Sequence, residues 1–136
     1  MTINTDANTL FARSCYNHIA GQLGVMIADR LIAHDVIVIA HGNAQPGPAY
    51  HAFLSSLGMA EPVPRKGQPP VKLCLDWTER RHHLSGPFAT ELMRHVLAKD
   101  WLQRQPAARA LILTETGKAG FHRHMGLEIG ACITGA

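Results

Sequence analysis

The chain has 136 residues, enough for one domain with a sizeable core, and 46% of them are apolar, which excludes a disordered chain. A formal net charge of +3 permits contact with nucleic acid without arguing for it, and no apolar run is long enough to span a bilayer. Three cysteines, an odd number, fit a reducing, cytoplasmic compartment rather than a disulfide framework, and nine histidines raise the question of a metal.

Residues 1–8 are polar and read as a frayed end. From residue 9 to 33 the pattern predicts one long helix: Phe11, Cys15, Ile19, Leu23, Ile27 and Leu31 recur at four-residue steps. Gly21 and Gly24 sit inside it, each costing roughly 1 kcal/mol against alanine, so a second backbone is expected to cross there, within the molecule or across a dimer. Val36 to Ala40 is β-branched and reads as a strand. Residues 41–48 form a turn-rich loop, and 49–57 a short helix ended by Gly58. Pro62, Pro64, Gly67, Pro69 and Pro70 mark a linker over 60–70. Residues 71–75 read as a strand, followed by a short basic turn and a helix over 84–99, with Ser85 as N-cap and Pro87 in the first turn. Residues 101–105 and 109–114 pair as a wing around 106–108, and Thr114 caps a last helix. The tail 128–136, with Cys132, is assigned no element.

An offset of 65 residues aligns His18 with His83, Gly21 with Gly86, Ala33 with Ala98 and Asp35 with Asp100. Aliphatic residues exchange at Ile27/Leu92, Leu31/Val96 and Ile37/Leu102. The expected fold is therefore α+β: one domain over 1–136 built of two winged-helix-like helix–strand–helix repeats. The halves, 9–59 and 71–127, are joined by the Pro-rich linker 60–70. Pseudo-twofold symmetry should pack the two long helices together near Gly21 and Gly86.

Three stretches carry a family resemblance: residues 12–25, which begin Ala12-Arg13-Ser14-Cys15-Tyr16-Asn17-His18; residues 74–86, which begin Cys74-Leu75-Asp76-Trp77; and Leu113-Thr114-Glu115-Thr116-Gly117. Over about residues 10–127 the chain resembles the C-terminal half of a subgroup of ArsR-like bacterial transcription regulators. The family's N-terminal DNA-binding winged helix has no counterpart in these residues. Nor is there the paired-cysteine signature that metal-sensing members place on the recognition helix. The resemblance thus implies a sensing and dimerising region, a homodimer that binds a small effector between its halves. DNA contact would run through a missing N-terminal domain, or be weak.

Candidate ligand-binding residues are Cys15, His18, Cys74, Trp77, Arg80, His82 and His83. Cys15 and His18 lie three apart on the expected helix, so both point the same way. Cys74 and Asp76 share one face of a strand. Cys15, His18, Cys74 and His83 together suit a soft or borderline metal through thiolate and imidazole. No CxxC or HxxxH occurs, however, which favours two small buried thiols and two hydrogen-bonding histidines, with no metal or other cofactor. Trp77 beside Arg80, Arg81, His82 and His83 suits an anionic effector held by an arginine fork. The competing reading is a solvated turn in which an arginine pairs with Asp76 or Glu79. Trp77 is expected to be largely buried at the junction of the halves, with Arg80, His82 or His83 facing the same cavity as Cys15 or His18. Two further readings stay open: nucleic-acid binding through helix 84–99 and the 101–114 wing, and a thiol/histidine metal or redox sensor. No nucleophile elbow or Gly-rich phosphate loop occurs, so no enzyme is expected.

Overall fold

The computed structural model describes residues 10–15, 17–106 and 108–129. Residues 1–9, where a frayed end was expected, Tyr16, Ala107 and most of the tail with Cys132 lie outside the described residues. The elements run β1 (Arg13–Cys15), β2 (His18–Ala20), α1 (Gly21–Ala33), β3 (Ile37–Ala40), β4 (Asn43–Pro46), α2 (Tyr50–Leu57), β5 (Lys72–Asp76), β6 (Arg81–Ser85), α3 (Gly86–Ala98), β7 (Leu102–Arg104), β8 (Leu111–Leu113) and α4 (Glu115–Met125). Consecutive strands pair antiparallel into four two-stranded sheets among the described residues, so the fold is α+β. Hairpin, helix, hairpin, helix occurs twice in order.

The expected helix over 9–33 is a correction. Its first half is the β1–β2 hairpin, and α1 begins only at Gly21. The apolar positions were read correctly, since Phe11, Ile19, Leu23, Ile27 and Leu31 are all buried. A four-residue step fits a helix face, but it is also a multiple of two and so fits one face of a strand. Gly21 marks a sharp turn, and the second backbone that comes close there is the Leu10–Phe11 segment rather than the other long helix. The φ of Gly21 is +83°, and a Cβ there would lie 2.8 Å from the Leu10 carbonyl oxygen. Gly24 does permit a close approach: a Cβ would meet the Ile19 carbonyl oxygen at 2.3 Å and the His83 Cβ at 3.3 Å.

The second half departs less. Leu84 belongs to β6 rather than to the helix, and α3 starts at Gly86. Ser85 occupies the N-cap position without a side-chain cap bond; the Phe88 N–H donates instead to the Pro70 carbonyl at 2.7 Å. The wing forms as β7–β8, and the Thr114 hydroxyl accepts the Gly117 N–H at 2.8 Å to cap α4. Gly58 and Gly126 end α2 and α4 in the left-handed conformation. Besides β1 and β2, two more strands lie where none was expected: β4, inside the expected loop 41–48, and β6, which spans the end of the expected basic turn and the start of the expected helix.

The halves interlock. Helix α1 packs chiefly on β6 and α3 chiefly on β2, so each helix lies on the other half's hairpin. The core is continuous through both, with Ile19, Leu23 and Ile27 in one cluster with Leu84, Phe88 and Leu92. At one outer seam, β1 meets β8: the Ser14 N–H donates to the Arg109 carbonyl, and the Leu111 N–H to the Ala12 carbonyl, both at 2.9 Å. The opposite seam, between β4 and β5, holds a groove of about 600 Å³.

Candidate functional site

Each of the two inner hairpins presents one cysteine opposite one histidine. Cys15 pairs with His18 across β1–β2, and Cys74 with His83 across β5–β6. Directly opposed residues in an antiparallel pair point to the same face. Hairpin pairing therefore does for Cys15 and His18 what the expected helix was to have done. Packing of the hairpins then brings one ligand atom from each of Cys15, His18, Cys74 and His83 within 4.8 Å of the others. His18 is 7% exposed and His83 1%, and their rings lie 4.9 Å apart. Both Nε2 atoms are buried without a hydrogen-bond partner.

Beneath this cluster lies an ionic hub that sequence reasoning missed. Arg13 and Asp76 are both fully buried and paired at 2.9 Å. Asp76 Oδ1 also accepts the Thr78 hydroxyl at 2.7 Å and the N–H groups of Thr78 and Glu79, a turn that ends β5. Its other oxygen, Oδ2, accepts the Gly21 N–H at 2.6 Å and lies 3.1 Å from His83 Nδ1. One carboxylate thus caps α1, orients His83 and neutralises Arg13. An N-terminal anion also complements the helix dipole. Ala20 has no capping side chain, and that cap comes from 55 residues away.

The electrostatics follow from burial and these partners. Burial alone pushes the Asp76 carboxyl up, but the Thr78 hydroxyl, the Gly21 and Glu79 N–H groups and Arg13 outweigh it, holding the group well below the usual carboxylate range. Burial, then the neighbouring His83, lowers His18 to about 4. Burial also lowers His83, against the pull of Asp76. The Cys74 thiol is pushed up, first by burial and then by Cys15. Near neutrality the site holds two neutral imidazoles beside an ionised Asp76.

Trp77, Arg80 and His82 stand apart from the four. Trp77 is 45% exposed, which corrects its expected burial. Strand β5 ends at Asp76, which takes the inward position, and Trp77 falls in the turn. Its ring lies under the Arg13 guanidinium, 4.6 Å from centroid to Cζ. Arg80 occupies a left-handed turn position with φ +57° and is exposed. His82 is exposed and lines the β4–β5 groove with Lys72 and Gln45. The expected arginine partner of Asp76 exists, but it is Arg13; Arg81 pairs with Asp29 of α1 instead. Arg13 stood in the quoted motif, and its one sequence signal was a charge amid apolar neighbours.

No protein-family model matches the chain, and no solved structure matches it significantly. The chain is 35% identical over 120 residues, 88% of its length, to the uncharacterized HTH-type transcriptional regulator YdfF of Bacillus subtilis (strain 168). It spans about half of that relative, 53% of its length. No helix among the described residues is long and apolar enough to cross a membrane.

Proposed function

We propose that the chain is the sensing and dimerising region of an ArsR-like, helix-turn-helix transcription regulator, and that it reads its signal where the two hairpins meet. The observation that carries this reading is the shared ownership of the site. Each half supplies one cysteine and one histidine, and neither half alone assembles the four. A ligand there bears on both halves at once, as a sensor requires if binding is to favour one arrangement of a regulator over another. The 35% identity to a regulator of the HTH type supports the regulatory part. In this reading the halves are one duplicated unit related by a pseudo-twofold axis, and a second copy completes a homodimer. Operator DNA is contacted by a separate reading domain. The chain's own DNA affinity is weak, in keeping with Arg94 of α3 being paired to Glu91.

The test is transcriptional. The encoding gene is replaced in its host by alleles carrying Cys15→Ser or His83→Ala, and transcripts are compared with wild type and with a deletion. A small set of transcription units that changes in the deletion and also in the site alleles is expected. Site alleles with wild-type transcript profiles, at normal protein abundance, would overturn the sensor reading.

A further inference from the structure

We infer that Cys15, His18, Cys74 and His83 form a closed, four-ligand tetrahedral site for a zinc-class divalent ion. This rests on the sensor reading for its biological meaning and names the ligand that such a sensor would take.

Four observations carry the inference. The donor set is two thiols and two imidazoles, the mixture that closed tetrahedral zinc sites use. The donor atoms already lie within 4.8 Å of one another, whereas bonds of about 2.0–2.3 Å to a tetrahedral ion place them about 3.3–3.8 Å apart. Side-chain rotations bridge that difference without moving a hairpin. Next, both histidine Nε2 atoms are buried with no partner, although such atoms are normally satisfied. A metal is the partner a neutral imidazole nitrogen accepts there. Third, His83 has the support that metal-bound histidines have: its Nδ1 faces Asp76 Oδ2, which fixes the tautomer and leaves the Nε2 lone pair for the ion. Asp76 is in turn held by Arg13, Gly21 and Thr78, so the ring is oriented before any ion arrives.

Charge balance is the last of them. Arg13 and Asp76 cancel within the hub, and imidazole nitrogens coordinate a metal as uncharged ligands. Binding releases a proton from each of Cys15 and Cys74, and the two thiolates then neutralise one divalent cation. Four protein ligands leave no open position for a reactive water, so the site suits sensing or fastening rather than catalysis. Because two ligands come from each half, the ion is a clasp between them.

The experiment uses the whole chain, purified, reduced and stripped of metal, with Co²⁺ as the spectroscopic probe. One equivalent should produce the intense visible bands of tetrahedral cobalt and a sulfur-to-cobalt charge-transfer band, both bleached by one equivalent of Zn²⁺. Cys15→Ser, Cys74→Ser, His18→Ala and His83→Ala should each lose the tetrahedral spectrum or weaken binding at least tenfold. Asp76→Asn should weaken it about 10–100-fold. The exposed His51→Ala variant should bind as wild type does. Where a variant fails to fold by circular dichroism, the wild-type chain supplies a second readout: Zn²⁺ should shield Cys15 and Cys74 from alkylation, followed by mass spectrometry. Three results would overturn the inference: no cobalt spectrum from the reduced, folded chain; a spectrum unchanged in folded Cys15→Ser and Cys74→Ser; or alkylation of both thiols unaffected by Zn²⁺, whether or not oxidant joins them. Any of these leaves the transcriptional test standing, and a failed transcriptional test leaves the metal titration standing.

Discussion

The β1–β2 and β5–β6 hairpins do the same thing with different means. Each sets a cysteine across from a histidine and runs directly into a long helix through a glycine of positive φ, +83° at Gly21 and +86° at Gly86. Their connections differ. Two residues separate Cys15 from His18, while eight separate Cys74 from His83. The longer hairpin carries the Asp76 turn and the anion; the shorter one carries Arg13, the cation that answers it. Equivalent positions thus hold the candidate ligands, and the unequal positions hold the ion pair that joins the hairpins. The four candidate ligands come from two matched cysteine–histidine pairs, while the ion pair beside them has no such matching.

Breaking that ion pair should have the largest effect. Asp76→Ala leaves Arg13 buried without its carboxylate and removes the cap of α1, so a loss of about 3–5 kcal/mol is expected by urea unfolding. A near-neutral result would mean that the hub does not hold the hairpins together.

Acid should act on the histidines rather than on the ion pair. His18 titrates near 4 in the fold against 6.5 in the unfolded chain, so the unfolded chain binds the proton first as pH falls. In the metal-free chain His18 alone should contribute a loss of up to about 1.4 kcal/mol per pH unit between 6.5 and 4, with the lowered His83 adding to it in the same direction. Asp76 stays ionised in the folded state throughout that window. His18→Gln should flatten the slope in pH-dependent melts; an unchanged slope would contradict the assignment.

Packing between the halves offers a smaller test. Gly24→Ala places a Cβ against the Ile19 carbonyl and beside His83, so about 1–3 kcal/mol should be lost as α1 is pushed from the hairpins. Smallest of all, Trp77→Ala should cost about 1–2 kcal/mol, the worth of a cation–π contact between a half-exposed ring and the buried Arg13 guanidinium. A loss as large as a core truncation would return Trp77 to the buried role its sequence suggested.

What the sequence conveyed, and what it withheld, follows from the same two hairpins. The 65-residue offset matched His18 with His83 and Gly21 with Gly86, whose backbone angles agree, as do those of Asp35 and Asp100 at +62° and +63°. It could not match Cys15 with Cys74, because the unequal turns shift the cysteines out of any fixed offset. Only strand register reveals them as counterparts. The four candidate metal ligands were nonetheless legible as residue types, and Thr114, Gly58 and the wing over 101–114 were legible from local chemistry. Asp76 was legible as the partner of an arginine, but Arg13 as that arginine was not, since a buried ion pair between residues 63 apart leaves no local pattern. Strand β6 was hidden for a related reason. Its exposed residues, Arg81 and His82, read as turn, and its buried His83 and Leu84 gave too short an apolar run to mark a strand.

If the site is shared, the two hairpins contribute equally to one ligand sphere. X-ray absorption at the zinc edge of the reconstituted chain measures that sphere directly. Two sulfur atoms at about 2.3 Å and two imidazole nitrogens at about 2.0 Å are predicted. Replacing Cys15 alone should leave one sulfur, and replacing Cys74 alone should do the same. A wild-type shell of only oxygen and nitrogen, or one whose sulfur count is unchanged by either replacement, would contradict the account.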